Sequence, residues 1–352
     1  MKLQFAPYIL KFKKPAGTSR GILTEKLTAF LRIFDEKDPT RFGVGEAAIF
    51  PGLSPEADER YFYKMVELVT NVRLGIPTDL SHFPSIQSGF EQAIRDYSNG
   101  CNGIYFDSPF TAGEKSIDIN GLIWMDDFES MLLQLEKKVT MGFRCIKIKI
   151  GAIDWKKELN LISIIREHYS RDKIEIRVDA NGAFGKDDVM HRLQDLAQFD
   201  IHSIEQPVRQ GNTELISHLC RVSPVPIALD EELIGKFSHE EKEKTLEEIK
   251  PQYIILKPSL VGGFSGATEW IELADAKGVG WWVTSALESN IGLNAIAQWV
   301  ATLGARGYQG LGTGALFTNN FTSPIFLEGE KLKYNPMSPL DRTEIDTLDW
   351  RD

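Results

Sequence analysis

Residues 145–151 read CIKIKIG, with Lys147 and Lys149 interleaved among three isoleucines. In a strand, alternate side chains point to opposite faces, so the two lysines share one face and the isoleucines the other. On a half-exposed sheet this would be an ordinary amphipathic strand. A strand of a closed parallel barrel has no wet face, because helices cover its outside and packed side chains fill its inside. Which of these holds depends on the segments around it.

From about residue 119 one pattern recurs. Short apolar runs end in polar residues: GLIWM (121–125), CIKIKI (145–150), IEIRVDAN (174–181), SIEQPV (203–208), PIALDEEL (226–233), YIILKPSL (253–260), GWWVTSALES (280–289) and YQGLGT (308–313). Helical stretches separate them, such as 154–170, where Leu159, Ile162 and Ile165 recur at helical spacing behind Asp154 as a cap. A unit of roughly 25 to 30 residues suits a strand, a helix and two short loops. Eight strands alternating with helices predict a TIM-type barrel over 113–321, with a doubly wound open sheet as the alternative. The isoleucines can then face the helices, and the lysines must face the interior.

The first 112 residues predict an α+β unit. KLQFAPYILKF and LTAFLRIFDE read as antiparallel strands around the loop KKPAGTSRG, and 55–74 and 84–98 as helices. The Pro-rich tail 322–352 is expected to pack back on this unit and complete it. A chain of 352 residues suits such a two-part arrangement. Its net charge of −10 and lack of basic runs argue against nucleic acid or an anionic membrane as partner. Three scattered cysteines without a CxxC, no leader-like start and no long apolar stretch predict a soluble, cytoplasmic protein. An oligomer is compatible with all of this. GVGEAA (43–48) fits G-x-G-x-x-A, but Pro51 follows at once and no βαβ unit is evident, so dinucleotide binding is not expected.

An active site in such a barrel lies at the carboxyl ends of the strands. Those ends carry Lys147 and Lys149, Asp179, Glu205, Asp230 and Lys257, then Ser285 to Ser289. Three carboxylates on consecutive strand ends, with no His or Cys beside them, make an oxygen-rich site suited to Mg²⁺, with Mn²⁺ as a substitute. Interior lysines beside one another and a cation are expected to have lowered pKa values, fit for a base near neutral pH, although the carboxylates pull the other way. Taken singly, a KxK is usually a solvated strand face, a strand-end Asp a helix cap, and Lys257 before Pro258 a strand terminator. The ordered set, one position per strand, is what points to chemistry.

KIKIG, RVDANGAF, SIEQPV, ALDEEL and LKPSLVGG resemble the motifs of the enolase superfamily, in its muconate-lactonizing-enzyme-like branch, and the likeness covers nearly the whole chain. It implies a (β/α)₇β barrel with an N-terminal α+β capping domain. It also implies removal of a proton α to a carboxylate, with Mg²⁺ on Asp179, Glu205 and Asp230 stabilising the enediolate. GVGEAAIFPGLSPE (43–56), PSIQSGFEQAIRD (84–96) and 284–303 are similar to the dehydratases of menaquinone biosynthesis, with Leu53 in place of their Phe. That likeness implies 2-succinyl-6-hydroxy-2,4-cyclohexadiene-1-carboxylate as the small-molecule substrate. Lys149 would take the α-proton and help the hydroxyl leave, Lys257 would hold the enediolate from the opposite face, and Lys147 would tune the base. Arg20, in a loop (15–21) expected to close over the barrel mouth, and Arg177 are candidate partners for substrate carboxylates. Asn181, Ser285, Ser289 and Gly312 complete the candidate substrate-binding set.

N-acylamino acid racemases, dipeptide epimerases and muconate-type cycloisomerases share the metal and lysine set. Epimerases grip the substrate ammonium with Asp-x-Asp after the eighth strand. Here Gly312, Thr313 and Gly314 supply no acid, which counts against that activity. A racemase of the mandelate type would need a His at the seventh strand end, where WWVTSALES has none. A non-catalytic metal-binding role is disfavoured because no member of the set is missing.

Overall fold

The computed structural model describes residues 1–18 and 21–352. Strands β1 (Lys2–Thr18), β2 (Gly21–Asp35) and β3 (Asp38–Ala47) form an antiparallel sheet in that order. Part of the expected loop KKPAGTSRG is instead paired. After an irregularity between Lys11 and Ala16 the ladder resumes, with Ala16 opposite Leu23 and Gly17 opposite Ile22. Gly17 also bridges to Met125 of the barrel. The strand up to Thr18 is therefore paired within the sheet and touches the barrel at Gly17.

Helices α1 (Arg60–Leu74) and α2 (Pro84–Ser98) cover the sheet. Proline at the first turn of α2 removes an amide that would have no intrahelical partner. The glycines of GVGEAA explain how closely α2 sits on β3. A Cβ on Gly43 would lie 2.2 Å from the Ala93 carbonyl oxygen, and one on Gly45 2.0 Å from that of Gly89. The motif is thus a bare strip of strand against a helix, with no phosphate cradle.

After the short strand β4 (Ile117–Asp118) the barrel begins with β5 (Gly121–Ile123) and α3 (Phe128–Thr140). It continues through β6 (Cys145–Lys149), α4 (Trp155–His168), β7 (Glu175–Asp179), α5 (Val189–Ala197), β8 (Ser203–Glu205) and α6 (Thr213–Val222). Next come β9 (Ile227–Leu229), α7 (His239–Ile249), β10 (Tyr253–Leu256), α8 (Pro258–Val261), α9 (Gly263–Ala276), β11 (Gly280–Val283) and α10 (Asn290–Thr302). Strands β5 to β11 pair in parallel in sequence order. The eighth run, YQGLGT, closes the ring through two parallel bridges, Ile119 to Gln309 and Thr284 to Gly310. The arrangement is a (β/α)₇β barrel.

The isoleucines of CIKIKIG face outward as the pattern requires. Ile146, Ile148 and Ile150 are buried in one core with Leu161, Ile162 and Ile165 of α4, each contributing about 1.5–3 kcal/mol of burial. Asp154 caps α4, accepting from the Lys156 and Lys157 amides. The tail forms β12 (Ile325–Glu328) and β13 (Lys331–Tyr334), of which β13 pairs with both β12 and β4, and then α11 (Arg342–Asp346). Arg342 donates to Asp96 of α2 and to the Phe42 carbonyl, and Arg351 pairs with Phe5 of β1. Among the described residues no helix is long and apolar enough to cross a membrane.

Gly45→Ala forces a Cβ into the backbone of α2, where no flexible group can yield. Urea denaturation should show a loss of roughly 2–3 kcal/mol or more. A loss below half a kcal/mol would show that α2 shifts freely on β3.

Candidate active site

Parallel register brings the candidate residues to one end of the barrel. Lys149 lies opposite Asp179, and Asp179 opposite Glu205. Asp230 immediately follows β9, and Lys257 follows β10. Strands β6 and β10 are four apart in an eight-membered ring, so Lys149 and Lys257 face each other across it. The side chains are almost fully buried, with Asp179, Glu205 and Asp230 at 1, 2 and 2% exposure.

The charges meet directly. Lys147 Nζ lies 2.9 Å from Asp179 Oδ2 and also contacts Glu205. Lys149 Nζ donates to Asp179 Oδ2 at 3.0 Å and to Asn181 Oδ1 at 2.6 Å. Lys257 pairs with Asp230. Burial disfavours the Lys147 ammonium, but Asp179 and Glu205 outweigh it and raise its pKa above the ordinary lysine value. Lys257 is raised in the same way, against burial, by Asp230, Glu205 and Glu231. The expected lowering is therefore reversed for these two lysines, because the carboxylates are nearer to them than they are to one another. Asp179 is held well below the carboxylate range: burial opposes its charge, and Lys147 and Lys149 override it. Glu205 is pushed well above that range by burial and then by Asp179.

Among the described residues no three Asp, Glu, His or Cys side chains converge on one point. Ammonium groups lie between the three acids instead. The donor set nonetheless suits a hard divalent cation. It offers oxygen alone, from three consecutive strand ends, and Glu205 Oε1 is buried without a hydrogen-bond partner among the described residues. A carboxylate oxygen left in that state is costly unless something cationic meets it.

A cavity of about 340 Å³ opens over this group. Lys147, Lys149, Asp179, Asn181 and Lys257 line it below, and Phe50 and Leu53 reach in from the segment after β3. Ser285 and Gly312 line it as well, with Ser285 Oγ 2.7 Å from Thr313 Oγ1. Asn181 has a left-handed backbone, φ 44°, and also donates to Glu231 Oε1 at 3.2 Å. Glu231 is a cavity-lining acid that the sequence reading passed over. It sits one residue beyond Asp230, in the turn after the strand, where position in the run carried no signal.

Two candidates lie elsewhere. Ser289 caps α10, accepting from the Ile291 amide and donating to Glu46, and does not line the cavity. Arg177 points into the barrel two residues below Asp179, as β alternation demands. Its guanidinium binds Glu175 Oε1 at 2.7 Å and the Tyr308 carbonyl at 2.9 Å, and it stacks 4.2 Å from the Trp282 ring centroid. Its donors are used in the barrel floor and are not turned to the cavity. Arg20 lies outside the described residues.

Comparison with known proteins agrees with this architecture. The model of the family described as Enolase C-terminal domain-like matches residues 130–332. The chain belongs to the enolase superfamily. An o-succinylbenzoate synthase of Desulfotalea psychrophila is 44% identical, over 94% of this chain and 98% of the relative. The crystal structure of MenC from the same organism superposes with a TM-score of 0.84 at 40% identity, covering 95% of this chain and 99% of that one. A dipeptide epimerase from Enterococcus faecalis, solved with Mg and a dipeptide, shares the fold of the superfamily at 18% identity, with a TM-score of 0.79 and coverage of 97% and 99%.

The barrel floor gives a pH signature separate from the catalytic end. His202 stacks on Tyr253, ring centroids 4.8 Å apart, and burial lowers its pKa to about 4 against the pull of Glu175. Its folded-state pKa lies below the ordinary 6.5, so its contribution is complete above about pH 6.5 and is lost as pH falls toward 4. His202→Phe should reduce the stability lost between pH 7 and 4.5 by about 2 kcal/mol. Parallel pH–stability curves for the two proteins in urea would show that His202 protonates freely in the fold.

Proposed function

We propose that the chain catalyses the o-succinylbenzoate synthase reaction, the loss of water from 2-succinyl-6-hydroxy-2,4-cyclohexadiene-1-carboxylate. The observation that carries this reading is 44% identity to a synthase across nearly the full length of both chains. The site's chemistry supports it: lysines from opposed strands, three acids on consecutive strand ends and a cavity lined by both barrel and cap residues. The missing acid at 312–314 continues to count against a dipeptide epimerase.

Lys149 is assigned as the base. Its amine takes the proton on the ring carbon bearing the carboxylate, and the electron pair left behind is delocalised into that carboxylate. The pair then forms the ring double bond as the neighbouring C–O bond breaks, and the Lys149 ammonium gives its proton to the departing hydroxyl. Water leaves and the ring becomes aromatic, so the second step runs strongly downhill. Lys257, kept charged by Asp230, faces the enediolate from the other side and opposes its negative charge. Lys147 adds a second fixed positive charge below the base. Asn181 accepts from Lys149 and holds its amine toward the cavity. Ser285 and Gly312 are assigned to the substrate's succinyl arm.

The superfamily uses a divalent metal. Asp179, Glu205 and Asp230 would hold it, as Mg²⁺ or Mn²⁺, and when bound it supplies positive charge that stabilises the enediolate. We assign residues 1–112 and 322–352 to the cap and 113–321 to the barrel, supported by the contacts of Arg342 and Arg351 with the first sheet. Three buried, unpaired cysteines suit a reducing cytoplasm.

With Mg²⁺ the protein should consume the diene acid with kcat/KM in the range of roughly 10⁴–10⁸ M⁻¹s⁻¹, and EDTA should abolish turnover. Fast racemisation of an N-acylamino acid beside negligible dehydration would overturn the synthase reading. Lys149→Ala should also stop exchange of the substrate α-proton with solvent deuterium, whereas Lys147→Ala should retain measurable exchange. Exchange persisting in Lys149→Ala would assign the base to Lys257.

A further inference from the structure

The GVGEAA stretch contains, besides its glycines, a carboxylate with a task of its own. Glu46 is fully buried on β3, yet every group it meets through its side chain comes from another strand or from the barrel. Oε1 accepts from Thr28 Oγ1 and the Ser289 amide, each at 3.0 Å. Oε2 accepts from Ser289 Oγ at 2.5 Å and the Gly292 amide at 3.0 Å. A carboxylate of the cap thus serves the first turn of α10, where unsatisfied amides and the helix dipole favour negative charge. Gly292 leaves the room this needs, since a Cβ there would lie 2.8 Å from Glu46 Oε2.

A second cap residue reaches the same place. Lys26 of β2, 1% exposed, donates from Nζ to the Leu287 carbonyl at 2.8 Å. Leu287 carries a left-handed backbone, φ 59°, a conformation that a leucine keeps only when its surroundings impose it. Both attachments fall at the end of the segment after β11, whose residues Thr284, Ser285, Ala286 and Leu287 all line the cavity. One wall of the cavity therefore belongs to the barrel in sequence and is held partly by the cap, alongside the barrel's own Glu288, which accepts from the Ala286 amide.

We propose that Glu46 and Lys26 are positioning residues that hold the 284–289 wall against the substrate and thereby set how tightly the substrate is bound. The assignment rests on the function proposed above and deepens it. Neither residue lines the cavity, so their effect passes through the wall. In Glu46→Gln all four partners remain, but the new NH₂ must face the amide of either Ser289 or Gly292, donor against donor. Lys26→Met keeps the buried stem and removes the hydrogen bond to Leu287 together with the positive charge beside the buried Glu46 and Glu288.

The test uses the full-length chain with Mg²⁺, comparing wild type, Glu46→Gln and Lys26→Met by amide hydrogen exchange and steady-state kinetics on the diene acid. Peptides spanning 284–292 should exchange at least about tenfold faster in either variant, while those from β6 and β7 keep wild-type rates. KM should rise at least about tenfold with kcat within about threefold, the pattern of lost uniform binding. Wild-type exchange at 284–292 in a folded variant overturns the proposal, as does faster exchange with an unchanged KM. If either variant does not fold, the other, which acts on the wall through a different contact, decides the question. A wild-type protein that does not turn over the acid defeats the functional reading before any variant is made, whereas the exchange result speaks to the wall alone.

Discussion

Three carboxylates and three ammonium groups share a nearly dry space at the strand ends, and neither set could stay there without the other. An isolated charge in such a place costs several kcal/mol and would surrender or acquire a proton. Asp179 and Lys147 instead stabilise each other's ionised forms, while burial and the neighbouring Asp179 push Glu205 toward protonation. Removing any one member leaves an uncompensated charge beside the others. The barrel above Arg177 is consequently an electrostatic assembly first and a hydrophobic one second. Its apolar support comes from the outer faces of the same strands, where Ile146, Ile148 and Ile150 meet α4.

Much of this was legible in the sequence because the barrel repeats itself. The period-two alternation of CIKIKI assigned the lysines to one face, and the strand-end position of each acid followed from its place in its run. Strand β3 was not legible: GVGEAA raised only the comparison with a G-x-G-x-x-A motif, whereas its glycines are there because α2 leaves no room for side chains. Ser285 and Ser289 looked equivalent. They differ because one ends a strand and the other caps a helix, a distinction of φ/ψ that composition does not encode. Arg177 was misread for a related reason. Alternation placed it inside the barrel but not at what depth, and two residues down the strand is a full layer away from the cavity. The lysine pKa values were the hardest part, since their sign depends on whether carboxylate or ammonium stands nearer, a matter of tenths of a nanometre.

The cap is more than a lid in this molecule. Its α2 is seated on β3 by bare glycines, β3 carries Glu46 into the barrel, and the barrel returns the contact where Gln298 of α10 accepts from the Tyr105 and Phe106 amides. Contacts run in both directions between the two units, so packing that fixes one also fixes the other. The cap's influence on the cavity then has two routes, the apolar Phe50 and Leu53 from above and the polar attachments of Lys26 and Glu46 from the side.

The ring is closed unevenly. Six of its junctions are continuous parallel ladders, while the run 308–313 joins its neighbours by single bridges at Gln309 and Gly310. The two bridging positions are nevertheless fixed, since the Gln309 side chain accepts from the Val283 amide and a Cβ on Gly310 would lie 2.4 Å from Thr284 Oγ1. Just beyond them Gly312 and Thr313 line the cavity, with no acid at either position. A Cβ on Gly312 would meet only ordinary contacts, 3.4 Å from Ile119 Cδ1. Gly312, beside the anchored pair, is thus a place where new specificities can be tried at low risk to the fold.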